Sequence, residues 1–202
     1  MQKLKYLFVY IVPISVLISF HATGIYTLLP FFVLFVALPL LELFLPVDSA
    51  NFDKKIASDE KHEALYDWML IAAGVIHLLT LVYFFNIIQA VPFGSFEFWT
   101  KSGAMGLMCG VVALNVGHEL GHRRNKAEKF LGEILMVVSL NSHFIPFHNG
   151  GHHLHVATPN DPATAAKNEV LYSFWFTSHF GGYAQAWELE NRKMKHQGKS
   201  IF

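Results

Sequence analysis

The chain has little of what a soluble domain of 202 residues carries. Charged residues make up only 15%, against about 25% in ordinary soluble domains. A water-facing surface cannot be covered with so few, and at 53% hydrophobic the chain is equally unlike a disordered one. The single cysteine, Cys109, excludes an internal disulfide framework and any CxxC metal site. Fifteen basic and fifteen acidic residues cancel, so there is no basic field to hold nucleic acid, and none is expected as a partner. No internal repeat or low-complexity tract is present.

What the chain does have is long uncharged runs and histidine. Between Met1 and Leu45 the only charges are Lys3, Lys5 and Glu42; from Trp68 to Phe96 there are none; from Phe98 to Gly117 there is Lys101 alone. A bilayer core about 30 Å thick needs about 20 apolar residues in a helix. Four spans are expected, at residues 4–20, 25–45, 65–88 and 102–122. The tetrapeptide 21–24 leads straight from the first into the second, which favours a helical hairpin over a cleaved leader. Pro13, Pro30 and Pro39 fall inside spans and predict kinks. Gly103, Gly106 and Gly110 either let another helix approach or reflect the ordinary glycine content of membrane helices. Lys3 and Lys5, then Lys54, Lys55 and Lys61, then Arg123, Arg124, Lys126 and Lys129 share one side if four spans alternate. The positive-inside rule makes that side cytoplasmic. Beyond Lys129, residues 130–147 are apolar but short for a span, and residues 171–187, with Trp175, Tyr183 and Trp187, read as an interfacial helix.

Of twelve histidines, seven lie between His118 and His155. His118-Glu119-Leu120-Gly121-His122 sets two imidazoles four residues apart on one helical face, where both reach one metal. His148, His152 and His153 form a second group. Buried imidazoles are costly unless paired or metal-bound, and five at a membrane edge point to a common metal role. His143 and His155 admit three roles: ligand, hydrogen-bonding partner of a ligand, or surface residue. His21, His62, His77, His179 and His196 read as ordinary, His77 as a helix–helix contact within a span. HExxH alone suggests a zinc protease with Glu119 as general base. An excess of imidazoles over one ion's needs, without thiolates, suggests two metals and redox chemistry on a lipid-soluble substrate.

His118-Glu119-Leu120-Gly121-His122-Arg123, His148-Asn149-Gly150-Gly151-His152-His153 and the run Val156-Ala157-Thr158-Pro159-Asn160-Asp161-Pro162-Ala163-Thr164 resemble the membrane alkane hydroxylase (alkane 1-monooxygenase) family, within the fatty-acid desaturase and hydroxylase superfamily. Asn115 also fits the approach to the first motif. The Val-Ala-Thr-Pro run is the most specific part, since desaturases share the histidine boxes but not that stretch.

The resemblance implies an all-α polytopic transmembrane bundle, one membrane-embedded domain over 1–202, in a bacterial inner membrane. It implies a di-iron centre on the cytoplasmic face, with His118, His122, His148, His152 and His153 as iron ligands. It further implies O2 insertion into the terminal methyl of an alkane, electrons from rubredoxin and its reductase, and an apolar tunnel among the spans. Glu119 would orient a ligand rather than act as base. Asp161 would fix a ligand or the loop, its plainer role being an Asp-Pro turn. If both histidine groups meet one metal pair, residues 130–147 must lie along the membrane face or dip in and return.

The sequence departs from the family pattern at Phe147, where a glutamate is usual, and at Gly150, where a basic residue is common. The family's later histidine motifs are not found before Phe202, so the chain is expected to be incomplete and, alone, to bind metal poorly and be inactive. Other readings are a fatty-acid desaturase, a hydroxylase of aromatic methyl groups, an intramembrane zinc protease, and a non-catalytic metal-binding part of a split enzyme.

Overall fold

The computed structural model describes residues 7–45 and 64–199. Lys3, Lys5, Lys54, Lys55, Lys61 and His62, and the start of the first expected span, lie outside them. The described residues are all helix and connections, with no strand. They divide into two compact units, Met1–Leu135 and Met136–Phe202.

The first unit opens with α1 (Ile11–His21), which a preceding 3-10 turn extends to an apolar helix Leu7–His21. Pro13 sits in its first turn, where the N–H it lacks would have no partner within α1. The chain reverses at Gly24, whose φ of 56° suits glycine, and enters α2 (Gly24–Phe44). Here prolines do bend the register. Val33–Ala37 is a π turn closed by Leu38 N–H on the Val33 carbonyl, and Pro39, with no N–H to give, follows at once. Two longer helices follow, α3 (Ala64–Ile88) and α4 (Phe96–Gly121).

Helix α4 begins six residues before the expected span. Ser95 caps it by accepting the Phe98 N–H at 3.1 Å, and Glu97 lies in the first turn, where the helix dipole favours an acid. Charge that hydropathy assigns to a loop is here helix-starting charge. Helices α2, α3 and α4 are long and apolar enough to cross a membrane. Leu43, Phe44, Leu79 and Val82 stay exposed. Apolar surface of that extent needs a nonaqueous neighbour, and the chain is a multi-pass membrane protein.

The core of this unit joins Val12, Val16 and Phe20 of α1, Ala73 and Phe84 of α3, and Ala104, Met108, Val112 and Leu120 of α4. Buried hydroxyls are paired. Ser19 Oγ donates to the Thr27 carbonyl at 2.6 Å, and the Thr27 and Thr100 hydroxyls meet at 2.7 Å. Gly24 N–H donates to Glu97 Oε1 at 2.8 Å. At the other end of α1, Tyr10 Oη donates to the Met69 carbonyl at 2.7 Å. His77 Nε2 lies 4.0 Å from Cys109 Sγ, the expected contact between spans. Of Gly103, Gly106 and Gly110 on α4, only Gly103 meets another helix, beneath the Phe31 ring; Gly106 and Gly110 face open space. The small-residue reading therefore holds at one position of three.

Asn125 starts α5 (Lys126–Val138), accepting the Ala127 N–H at 2.9 Å through Oδ1. Gly132 packs so tightly on α4 that a Cβ there would lie 2.9 Å from the Gly117 carbonyl. Helix α5 thus runs back on the end of α4. It spans 13 residues, too few to cross a bilayer, and the chain then turns at Leu140 (φ 59°).

The second unit places α6 (Phe144–Phe147), a π turn (His148–His152) and α7 (His153–His155) ahead of a fifteen-residue loop, 156–170, and α8 (Leu171–His196). Helix α8 runs well past the expected 187, as Lys193, Lys195 and His196 in its last turn complement the helix dipole. Gly182 makes room for the Phe147 ring and Gly181 for Pro162, each at a spacing a larger side chain would violate. Trp175, Phe176, Phe180, Tyr183 and Trp187 remain exposed along it.

Candidate metal centre

The last turns of α4 carry the first histidine group. Val116, Gly117, Leu120 and Gly121 are buried, which turns His118 and His122 together to the other face. Their Nε2 atoms lie 3.0 Å apart. Two imidazoles with the same nitrogen aimed at the same point form half of a metal cage. One helical segment earlier, the π turn Cys109–Ala113 frees backbone carbonyls, and Asn115 answers them, donating Nδ2 to the Val111 carbonyl at 2.8 Å. Asn115 thus steadies the helix that presents His118.

The second group depends on a different device. His153 N–H bonds the His148 carbonyl, an i→i+5 register. The π turn adds a residue to the helical repeat, so His153 comes round to the side of His148 rather than away from it. His148 and His152 stack at 5.3 Å between ring centroids, and His148 and His153 meet edge-on at 4.5 Å. Gly150 and Gly151 permit the turn to sit against Leu189 and Gln185 of α8. Phe147, which stands where the family pattern has glutamate, is buried and packs on Gly182.

Asp161 is the buried anchor of this group, its side chain wholly inaccessible. Oδ2 takes the His152 Nδ1–H at 2.8 Å and the Thr164 hydroxyl at 2.5 Å; Oδ1 takes the Ala163 N–H at 3.0 Å. Thr164 Oγ1 in turn accepts the Ala157 N–H at 2.9 Å, at the strained Ala157 (φ 65°). Burial pushes the Asp161 carboxyl up, but the bonds from Thr164, Ala163 and His152 outweigh it and hold the acid below its ordinary range. An ionised Asp161 fixes the tautomer of His152 and leaves Nε2 as its donor atom. The Asp-Pro turn of the plainer expectation exists, with Thr164 N–H on the Asp161 carbonyl, and the side chain does more than form it.

Glu119 does not share the histidine face. Its Oε1 lies 3.3 Å from Arg123 Nη2, and Arg123 Nη1 lies 2.9 Å from Asp67 Oδ1 of α3. The sequence gives Arg123 a place in the topology and at the end of the first motif but no partner, and Asp67 passes unremarked, although a lone acid heading an otherwise uncharged span is a signal in itself. His143 is paired outside the second group, edge-on to His179 at 5.3 Å and to Tyr183 at 5.5 Å. Burial first, and the His179 charge second, lower its pKa. His179, expected to be ordinary, is thus the partner of His143. His155 contributes its carbonyl to the loop, accepting from the Thr158 hydroxyl at 2.6 Å. His21 meets the Tyr83 hydroxyl at 3.0 Å.

Two clustered imidazole sets, one braced by a buried carboxylate, fit a borderline divalent metal such as iron. Comparison with known proteins agrees in kind. Residues 98–200 match the fatty acid desaturase family. The chain is 32% identical over 164 residues to alkane 1-monooxygenase 1 of Alcanivorax borkumensis, covering 81% of this chain and 40% of that protein. It is 32% identical over 182 residues to the alkane 1-monooxygenase of Ectopseudomonas oleovorans, covering 89% and 44%. It is 28% identical over 97 residues to the xylene/toluene monooxygenase hydroxylase component of Pseudomonas putida, covering 48% and 26%. The chain thus spans about two fifths of the length of the alkane monooxygenases it matches.

Proposed function

The chain belongs to the fatty acid desaturase family, and on that premise we propose that it forms the membrane-embedded, ligand-bearing part of a di-iron monooxygenase that hydroxylates the terminal methyl of alkanes. His118, His122, His148, His152 and His153 would hold the two irons, with both groups serving one centre. When bound, the iron pair supplies O2 activation and the oxidising power to break a C–H bond, with electrons from rubredoxin and its reductase. The protein would lie in a bacterial inner membrane with the centre on the cytoplasmic side, where Arg123, Arg124, Lys126 and Lys129 follow α4.

The observation that carries this reading is the braced histidine of the second group. The ionised Asp161 holds the His152 Nδ1–H, which makes Nε2 a stronger and better-aimed donor. It does so from within the Val156–Thr164 run that resembles alkane hydroxylases and not desaturases. An alkane offers no polar handle, so apolar burial must bind it at roughly 25 cal/mol per Å². Membrane helices faced with Leu, Val and Phe provide such surface. Glu119 is held by Arg123, which suits an orienting role and speaks against the general base of a zinc protease.

The resemblance to the xylene/toluene enzyme supports a second reading, hydroxylation of an aromatic methyl group by the same centre. Both are tested by grafting this chain in place of the matching stretch of the Alcanivorax enzyme. Iron-containing membranes with reduced rubredoxin should turn octane into 1-octanol, and His152→Ala should abolish it. Conversion of xylenes alone would favour the second reading. An iron-free, inactive graft would overturn both in favour of a non-catalytic fragment, and cis-unsaturated fatty acids as product would favour a desaturase.

A further inference from the structure

We infer that Asp67 is a positioning residue for the metal centre, acting through Arg123 and Glu119 on the helical turn that carries His118 and His122. The inference rests on the reading above. Asp67 lies in the first turn of α3, a membrane-length helix with no other charge before its end. An ionisable group heading a membrane-length helix calls for a partner. Its partner is on a different helix: Arg123, the residue after His122, at 2.9 Å. Arg123 also reaches back four residues to Glu119, between the two histidines, at 3.3 Å.

The geometry makes this more than a staple. His122 ends α4 in a tightened turn, its N–H on the Glu119 carbonyl at 3.3 Å and the Arg123 N–H on the Leu120 carbonyl at 3.1 Å. Such a terminal turn frays unless something fixes the chain leaving it. The guanidinium is always charged and lies between the two acids as an ion pair, while Asp67 Oδ1 is buried with no hydrogen bond of its own. Each charge also lies where its helix favours it: the acid in the first turn of α3, the cation just past the end of α4. Met69, two residues after Asp67, accepts the Tyr10 hydroxyl, so the anchor point is itself held. A cavity of about 290 Å³ with Val9, Met69, Leu70, Ala73 and Val116 on its walls adjoins Glu119 and Arg123. Without Asp67, Arg123 and Glu119 would be free to swing together, and the two Nε2 atoms would lose their common aim.

The test uses the graft of this chain into the Alcanivorax enzyme, purified in detergent, with Co2+ as probe and its d–d absorption as readout. Asp67→Asn should raise the Co2+ dissociation constant about tenfold or more and alter the absorption envelope, and Asp67→Glu should recover most of both. Glu97→Ala is the structural control. It removes the contact to Gly24 at the other end of α4, so it should lower thermal stability and leave the Co2+ constant within about twofold of the parent, since sites this far apart act independently. Should Asp67→Asn not purify as a monodisperse species, Arg123→Lys takes its place, keeping charge but losing the fork. A Co2+ constant and spectrum unchanged in Asp67→Asn would overturn the inference alone, as would an equal loss in Glu97→Ala. A parent graft that binds no Co2+ would overturn the metal centre itself, and the inference with it.

Discussion

His152 Nδ1 stands 2.8 Å from Asp161 Oδ2, and that carboxylate is shut off from solvent. The pair explains why a loop of small and turn-forming residues follows the second histidine group: it exists to bury one acid beneath one imidazole. Asp161→Asn should keep the fold and lower metal affinity by about ten- to a hundredfold, read as bound iron per chain after dialysis. Asp161→Ala should also cost about 3 kcal/mol, since it orphans Thr164 and the Ala163 N–H. Equal metal content in Asp161→Asn and the parent would remove Asp161 from the site.

If His118 and His148 serve one centre, their losses should not add. His118→Ala and His148→Ala would each empty the same site, and the double variant would bind little less than either single. Separate ions would give additive losses of bound metal. Metal analysis of the four proteins decides between these outcomes.

Much of the bundle was legible because hydropathy and charge report directly on burial in lipid. The span at 65–88 reappears as α3 almost unchanged. What could not be read were features that depend on pairing across space. The seating of α8 needs room for Pro162 and Phe147 at Gly181 and Gly182, residues distant in sequence. The histidine groups showed in their spacing, but the π turn that swings His153 toward His148 did not, because backbone register leaves no composition signal. Asp67 and Arg123 lie far apart in sequence, and each alone has an ordinary explanation.

His143 gives the second unit a pH dependence. Its folded pKa is lowered, by burial and then by His179, so near neutral pH it is uncharged in the fold. Unfolding lets it take a proton at the ordinary histidine pKa of about 6.5. The unfolded state therefore binds more protons in the window between the lowered value and that one, and stability falls as pH falls through it. Protection factors across Phe144–Phe147, taken relative to the intrinsic exchange rate at each pH, should fall on acidification from pH about 7.5 to about 5.5. The fall should shrink in His143→Gln. A flat response in the parent would show that His143 keeps an ordinary pKa.

The closest approach behind the first histidine pair is at Gly132, and it sets up a contrast with Gly106. A methyl at Gly132 would meet the Gly117 carbonyl at 2.9 Å, Leu120 Cβ at 3.0 Å and the Gly121 nitrogen at 3.2 Å, while one at Gly106 would meet nothing within 4 Å. Backbone atoms cannot rotate aside as a side chain can, so Gly132→Ala must push α5 off the end of α4. Overpacking of this kind costs about 1–3 kcal/mol. Gly106→Ala should be neutral or stabilising, since alanine is the better helix former by about 1 kcal/mol. Thermal unfolding in detergent ranks the two. The first change also disturbs the turn between His118 and His122, because Leu120 and Gly121 are the atoms displaced. Gly132→Ala should therefore weaken Co2+ binding as well as stability, and Gly106→Ala should leave Co2+ binding where it was. Equal behaviour of the two variants would mean that α5 does not brace the histidine turn.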